Sequence, residues 1–363
     1  MLFFSTYITP RLNYVLDFFG KELFDDPSVI HVTDNKDAVL AAQGPRINYS
    51  NEDVPGCFTV RPSGLLFETG VHPLDVVCSK SGGQPVLFPT GGDFSFDVFA
   101  ASFYLLSRYE EYLPHPKDEY GRFAHTHSLA FREGFLDQPV INIWLMELRR
   151  ALAARFPGLV FRYAVFKFIP TYDIDSAFSY LYKGWGRNLG GLLRSVITGQ
   201  WKKAFDRIET LRRRRKDPFD VYEWLDSLHL YCRMRPYYFF LAAGRIQGVD
   251  RNIPISSRGL QDLIRYHSAG SRLGIHPSWQ SGDDERLLKE EIEWMSYVSG
   301  QKVVRSRQHY VRFVLPTTYR LLIQYGIEQD FSMGYGSING FRASVASSFY
   351  WYDLEKETAT RLR

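Results

Sequence analysis

Two aspartates, Asp173 and Asp175, close the stretch Pro170-Thr171-Tyr172-Asp173-Ile174-Asp175, directly after a strand-like run. On an extended chain, residues i and i+2 point the same way, so both carboxylates can converge on one cavity. One can then hold a divalent metal ion while the other takes a proton from water. The same pair can equally serve as a cap or turn device. A second stretch, Leu273-Gly274-Ile275-His276, delivers a histidine at the end of a short apolar run, where a neutral imidazole can ligate zinc or a similar ion or be merely structural. A third, Arg305-Ser306-Arg307-Gln308-His309-Tyr310, spaces Arg307 and His309 so that they can face one cleft or stand solvated. The fourth runs from Asp330 through Gly334-Tyr335 to Gly340-Phe341-Arg342. There the glycines permit close backbone approach. Arg342 can grip a carboxylate bidentately and depress its pKa, or form a surface ion pair.

Side chains so distant in sequence meet only on a regular scaffold. Across residues 158–363 the pattern alternates, with strands expected over 160–169, 237–242, 272–275, 302–306 and 326–330 and helices over 219–233, 259–267, 284–299 and 317–325. In the helix at 284–299, Leu288, Ile292 and Met295 share one face, acids fill the first turn, and Gly300 ends it. Repeated strand–helix units argue for an α/β fold with a parallel sheet closed or partly closed by crossovers. In barrels of that kind, chemistry sits where strands end and loops begin, and the five candidate residues Asp173, Asp175, His276, His309 and Arg342 follow such ends. Residues 183–218 interrupt the alternation with a basic segment that includes Arg-Arg-Arg-Arg-Lys at 212–216. It is expected as a helical insertion whose charge is a solvated face or a contact for a polyanion or membrane surface.

Residues 1–157 have a different texture, that of a mixed α/β accessory domain. A helix is expected over 11–23 and a strand over 29–32, followed by a Gly-, Pro- and Asp-rich stretch to about residue 93. The helix over 96–112 buries Phe99, Phe103 and Leu106, and its charged end can lie at the surface. A loop holding His125 and His127 precedes a last helix over 141–156, closed by Pro157 and Gly158.

Composition narrows the classes. A chain of 363 residues accommodates two domains, and 45% hydrophobic with 23% charged residues is the balance of a soluble globular protein. Aromatics at 16% serve core packing or stack on sugar rings. A net charge of +4 is small for this length and argues against a nucleic-acid protein driven by counterion release. Cys57, Cys78 and Cys232 form no CxxC pair, so neither a disulfide framework nor a thiolate zinc site is expected. The first residues lack the basic region of a signal peptide and no apolar run reaches membrane-spanning length; a cytoplasmic protein without a membrane span is expected.

The order TYDID, LGIHPSW, SRQHYVRF and DFSMGY…GFRAS resembles the polysaccharide deacetylase family, the chitin-deacetylase-like metal hydrolases. More closely it is similar to a subgroup common in Bacteroidetes, in which an uncharacterised N-terminal domain precedes the deacetylase region; FDVFAASFYLLSRYEEYLP and GRFAH carry that part of the likeness. The resemblance implies a distorted (β/α) barrel as C-terminal domain, a divalent metal, zinc foremost, and hydrolysis of an N-acetyl group on an amino sugar of a polysaccharide or glycan precursor. It casts Asp173 as catalytic base and Asp175 as metal ligand, although Ile174 stands where the family's motif has its second aspartate. His276 matches the first of two histidines four apart, Gln280 replaces the second, and His309 is expected to ligate in its stead. Arg342 is the counterpart of the arginine that orients the base, without the usual following proline, and Trp279, Arg307 and Tyr335 are expected at the substrate. The family's final strand carries a histidine acting as general acid; none follows His309, and the chain ends soon after 349–354, where that strand is expected. The departures leave a second expectation standing, a degenerate deacetylase-like domain that binds glycan or a protein partner without turnover.

Overall fold

A parallel strand buried on both faces shows as an unbroken apolar run, and Tyr237-Tyr238-Phe239-Phe240-Leu241 is such a run, with all five side chains buried. It lies at the heart of the second of two structural units. A computed structural model describes every residue of the chain except Ala164 and Arg245. One unit comprises Met1–Phe166, Val314–Tyr319 and Met333–Arg363; the other comprises Lys167–Phe313 and Arg320–Ser332.

In the first unit, β1 (Leu2–Ser5), α1 (Pro10–Phe24), β2 (His31–Thr33), α2 (Lys36–Ala41), β3 (Arg46–Tyr49) and β4 (Phe58–Thr59) build a parallel sheet of order β2-β1-β3-β4. Helix α1 begins where Thr9 accepts the Leu12 amide and Pro10 supplies a preset φ, and it buries Leu12, Val15, Leu16, Phe19 and Leu23. The hairpin β5 (Cys78–Ser81) and β6 (Gln84–Leu87) follows, then α3 (Val98–Leu106), α4 (Tyr109–Tyr112), α5 (Leu129–Arg132) and α6 (Val140–Arg155). The aromatics go largely into this core: Phe3, Phe19, Phe99 and Tyr49 meet ring against ring. The charged end expected at the surface is instead buried, because Arg108, which adopts the left-handed conformation at the head of α4, donates to Glu110 and Glu111 inside the unit.

The second unit runs β7 (Thr171–Ile174), α7 (Trp185–Ile197), α8 (Trp201–Leu211), α9 (Tyr222–Tyr231), β8 (Tyr237–Leu241), α10 (Arg258–Gly270), β9 (Arg272–His276), α11 (Glu285–Ser299) and β10 (Arg305–Ser306), and then β11 (Gln329–Asp330), which follows α12 (Thr317–Gln324), a helix whose first residues, to Tyr319, cluster with the first unit. All five strands are parallel, in the order β11-β10-β9-β8-β7. Pairing of Asp173 with Phe239, Leu241 with His276 and Ser306 with both Ile275 and Asp330 brings the carboxyl ends of the strands to one edge. Helix α11 starts at Asp284, which accepts the Leu287 amide, and stops at Gly300 in the left-handed region.

Two expectations are corrected here. The strand order is that of a barrel wall wound in one direction, yet among the described residues the sheet stays open, with β7 and β11 each paired on one side. Each further stave needs another crossover of a dozen or more residues. Residues 333–363 are instead spent in the first unit, where Tyr352 and Leu354 enter the core and β12 (Tyr352–Asp353) pairs with β13 (Thr358–Ala359). The strand expected over 160–169 includes Ala164, outside the described residues; the others form no strand. The ladder starts at Thr171 because its partner β8 starts at Tyr237, while upstream Phe161 stacks on Phe24. No helix among the described residues is long and apolar enough to cross a membrane.

Candidate metal centre

The carboxyl edge of the second sheet gathers three donors of metal-ligand type. Asp175 follows β7, His276 ends β9, and His309 sits in a single helical turn after β10. The Nε2 of His276 lies 3.3 Å and that of His309 3.9 Å from Asp175 Oδ1, and all three donor atoms fall within 4.8 Å of one another. Both rings are aimed from behind. His276 Nδ1 donates to the Arg307 carbonyl at 2.5 Å, and His309 Nδ1 donates to Asp250 Oδ1 at 2.7 Å, a tautomer assigned from these acceptors. Each Nε2 lone pair is thereby left for the shared point. The histidines are buried, whereas the Asp175 side chain is 57% exposed, so the group opens to solvent on the aspartate side.

The donors fit a divalent ion. Tetrahedral bonds of 2.0–2.2 Å separate ligand atoms by about 3.3–3.6 Å, close to the spacing of Asp175 and the two rings. Two imidazoles and one carboxylate leave positions for water or substrate, the arrangement of a catalytic rather than a closed structural site.

Asp173 is linked to this group through Arg307, whose carbonyl accepts from His276 Nδ1 and whose side chain holds the carboxylate. Its Oδ1 accepts from Arg307 Nη1 at 2.9 Å; Arg307 also donates through Nη2 to Thr171 Oγ1 at 3.0 Å and through Nε to the Phe331 carbonyl at 3.1 Å. The guanidinium lies over the Phe239 ring at 4.8 Å. Three anchors fix its plane and so fix the direction from which Asp173 is held.

Arg342, expected at Asp173, is engaged elsewhere. In the first unit its Nε and Nη2 donate to Glu111 at 2.8 and 2.6 Å. Arg108 reaches the same carboxylate at 2.8 Å, and although burial opposes ionisation, the two guanidinium charges hold Glu111 down at about 2. The partner of Asp173 is Arg307, expected instead at the substrate. Tyr335 likewise packs in the first unit, its ring 6.0 Å from that of His125 and 5.5 Å from the Arg342 guanidinium. Trp279 is at the centre's margin: its amide donates to both Asp250 oxygens, and its ring meets Tyr310 edge-on and carries the Arg312 guanidinium at 4.6 Å. Gln280, in the place of a second histidine, donates at 3.4 Å to the Gln247 carbonyl.

Three supporting residues escaped the sequence reading. Asp250 is fully buried behind His309. Asn252 ties strand ends together, donating to the Leu241 carbonyl at 3.0 Å and accepting from the Ala177 amide at 3.1 Å. Glu291 accepts the Ser278 amide at 2.9 Å and is pushed up to about 7, chiefly by burial. Only Glu291 left a clear signal: it falls three residues after Leu288 and four before Met295, a charge on the apolar face of α11.

Residues 1–157 match the model of a family of unknown function, DUF7033. No curated protein matches the chain. Among solved structures, the crystal structure of a candidate polysaccharide deacetylase from Mycobacterium smegmatis is similar at 14% identity and a TM-score of 0.29, over 46% of this chain and 51% of that one. The likeness thus spans about half the length of that structure.

Proposed function

We propose that the second unit is a metal-dependent hydrolase that removes an N-acetyl group from an amino sugar of a polysaccharide or glycan precursor. The observation that carries this reading is the convergence of Asp175, His276 and His309 to within 4.8 Å; Arg307, whose carbonyl accepts from His276, also holds the Asp173 carboxylate. Asp175, His276 and His309 would hold the ion, and zinc suits their donor set. An ion bound there supplies Lewis acidity toward an amide carbonyl and acidifies water. Asp173 takes the proton of the attacking water. The same carboxylate returns a proton to the nitrogen as the C–N bond breaks, giving acetate and the free amine. Arg307 orients Asp173 throughout. Trp279 offers an aromatic face for a sugar ring at the margin.

A second reading, glycan or partner binding without turnover, is favoured by Gln280 in the second histidine's place. The two part in one experiment. Protein purified without chelators should contain a divalent ion by mass spectrometry and release acetate from N-acetylated oligosaccharides. Asp173→Asn should keep the ion and lose about 10²–10⁴-fold in rate. Absence of a bound ion sinks the hydrolase; glycan binding without acetate release gives the second reading.

A further inference from the structure

An ordinary surface helix turns its apolar stripe inward, and α7 does the reverse. Its protein-facing side carries Asn188 and Ser195, both buried, with Gly191 between them. Asn188 donates to the carbonyls of Tyr180 and Gly184 and accepts from Arg207, which explains why a polar residue is held there. The apolar side chains at 185, 189, 193, 196 and 197 stand in solvent, Trp185 at 82% and Ile197 at 83% exposure. Helix α8 continues the surface with Trp201 at 66% and Phe205 at 57%. Between the two helices, Tyr182, Leu192, Ile208 and Leu211 help line an apolar groove of about 640 Å³.

Charge surrounds this surface asymmetrically. Residues 182–216 contain eleven Lys and Arg against two Asp and Glu, whereas the whole chain carries +4, so the remainder of the chain is net acidic at −5. The two acids are matched internally, Asp206 by Arg215 and Glu209 by Arg214. Arg194, Lys202 and Lys203 stand exposed on the same helices as the apolar stripe.

We propose that the α7–α8 pair docks on an anionic lipid bilayer surface, its aromatic and aliphatic stripe entering the boundary between headgroups and acyl chains and its cations meeting headgroup phosphates. The charges select this occupant. A second copy meeting the same face would bring together two patches each carrying nine excess positive charges. A nucleic acid uses the cations but leaves Trp185, Ile197 and Trp201 in water. The excess positive charge of the chain is concentrated in this hairpin, so attraction to an anionic surface centres on it. The hairpin is also rooted at the metal-bearing edge of its unit, since Arg187 donates to the carbonyls of Arg251 and Asn252, and Asn252 binds the end of β8. Docking therefore holds the loop that carries Asp250 toward the bilayer, whether or not the hydrolase reading stands.

The test is co-sedimentation of the full chain with vesicles of phosphatidylcholine alone and of phosphatidylcholine mixed with phosphatidylglycerol. The mixed vesicles should capture the protein, with capture falling as salt rises, and the pure ones should not. The triple variant Trp185→Ser/Ile197→Ser/Trp201→Ser and the charge variant Lys202→Glu/Lys203→Glu should each lower partitioning at least about ten-fold. Their thermal unfolding should be unchanged, since every substituted side chain is exposed. The proposal is overturned by absent capture of the wild type on anionic vesicles or by equal capture of both variants. A wild-type dimer that the serine variant dissolves, with no vesicle binding, overturns it in favour of a second copy.

Discussion

Asp250 decides how firmly His309 is aimed. The carboxylate is fully buried, accepts His309 Nδ1 at 2.7 Å and takes the Trp279 amide on the same side chain. A charged acceptor behind an imidazole fixes its tautomer and raises the basicity of the other nitrogen. Asp250→Asn keeps the size and one acceptor but removes the charge. Metal affinity should fall about 10–100-fold, read by competition with a chromophoric chelator; an affinity equal to wild type would mean that His309 is held by something else. The sequence made Asp173, Asp175, His276 and His309 legible as a set because each ends a strand-like run. It could not reveal Asp250, which sits in a loop, Gly248-Val249-Asp250-Arg251-Asn252, with no periodicity of its own. Nor could it tell Arg307 from Arg342: both follow strand-like segments, and a guanidinium's long reach leaves its carboxylate partner open until the sheet order is known.

That order is set by how closely β8, β9 and β10 approach, and one glycine governs the distance. A Cβ on Gly274 would stand 2.5 Å from the Phe239 ring and 3.1 Å from the Arg305 carbonyl, one belonging to each neighbouring strand. Phe239 is also the ring on which Arg307 rests. Gly274→Ala must therefore displace the ring or spread the strands, at a cost of about 1–3 kcal/mol in urea unfolding. The Arg307–Asp173 contact should loosen with it, so catalytic rate should fall with the ion retained; unchanged stability would contradict the packing described. Elements were legible where local signals agreed. Helix α11 announced both ends through Asp284 and Gly300, and β8 and β9 showed as short apolar runs. The run over 160–169 has the same β-branched and aromatic texture, but a strand needs a neighbour, and β8 offers none before Tyr237. Residues 108–111 carry the composition of a solvated helix end. They are buried because Arg108 pairs with both acids and Arg342, more than two hundred residues away, adds a second countercharge at Glu111.

At the scale of the molecule, the chain returns to its beginning: Met333–Arg363 clusters with Met1–Phe166, and polar contacts of long sequence separation help fasten it. Tyr14 donates to the Tyr350 carbonyl at 2.7 Å, Arg11 pairs with Glu357 at 2.5 Å, and Arg342 grips Glu111 from within the core. The last of these is the most consequential because all its members are buried, and removing one partner leaves the other charges uncompensated. Glu111→Gln and Arg342→Met should each destabilise the first unit by about 3–5 kcal/mol. Acid should remove the same stabilisation. Glu111 is held at about 2 in the folded protein against an ordinary 4.5, so its contribution is fully present above about 4.5 and is lost as pH falls toward 2. That displacement corresponds to about 3 kcal/mol. Stability measured by hydrogen exchange in peptides covering residues 98–112 and 341–354 should thus decline through this window in the wild type, and its advantage over Glu111→Gln should narrow there. Metal affinity in Arg342→Met should match the wild type, because Asp175, His276 and His309 belong to the other unit. Were Arg342 instead the residue that orients Asp173, the outcome would be the opposite: protected peptides in the first unit, and acetate release reduced.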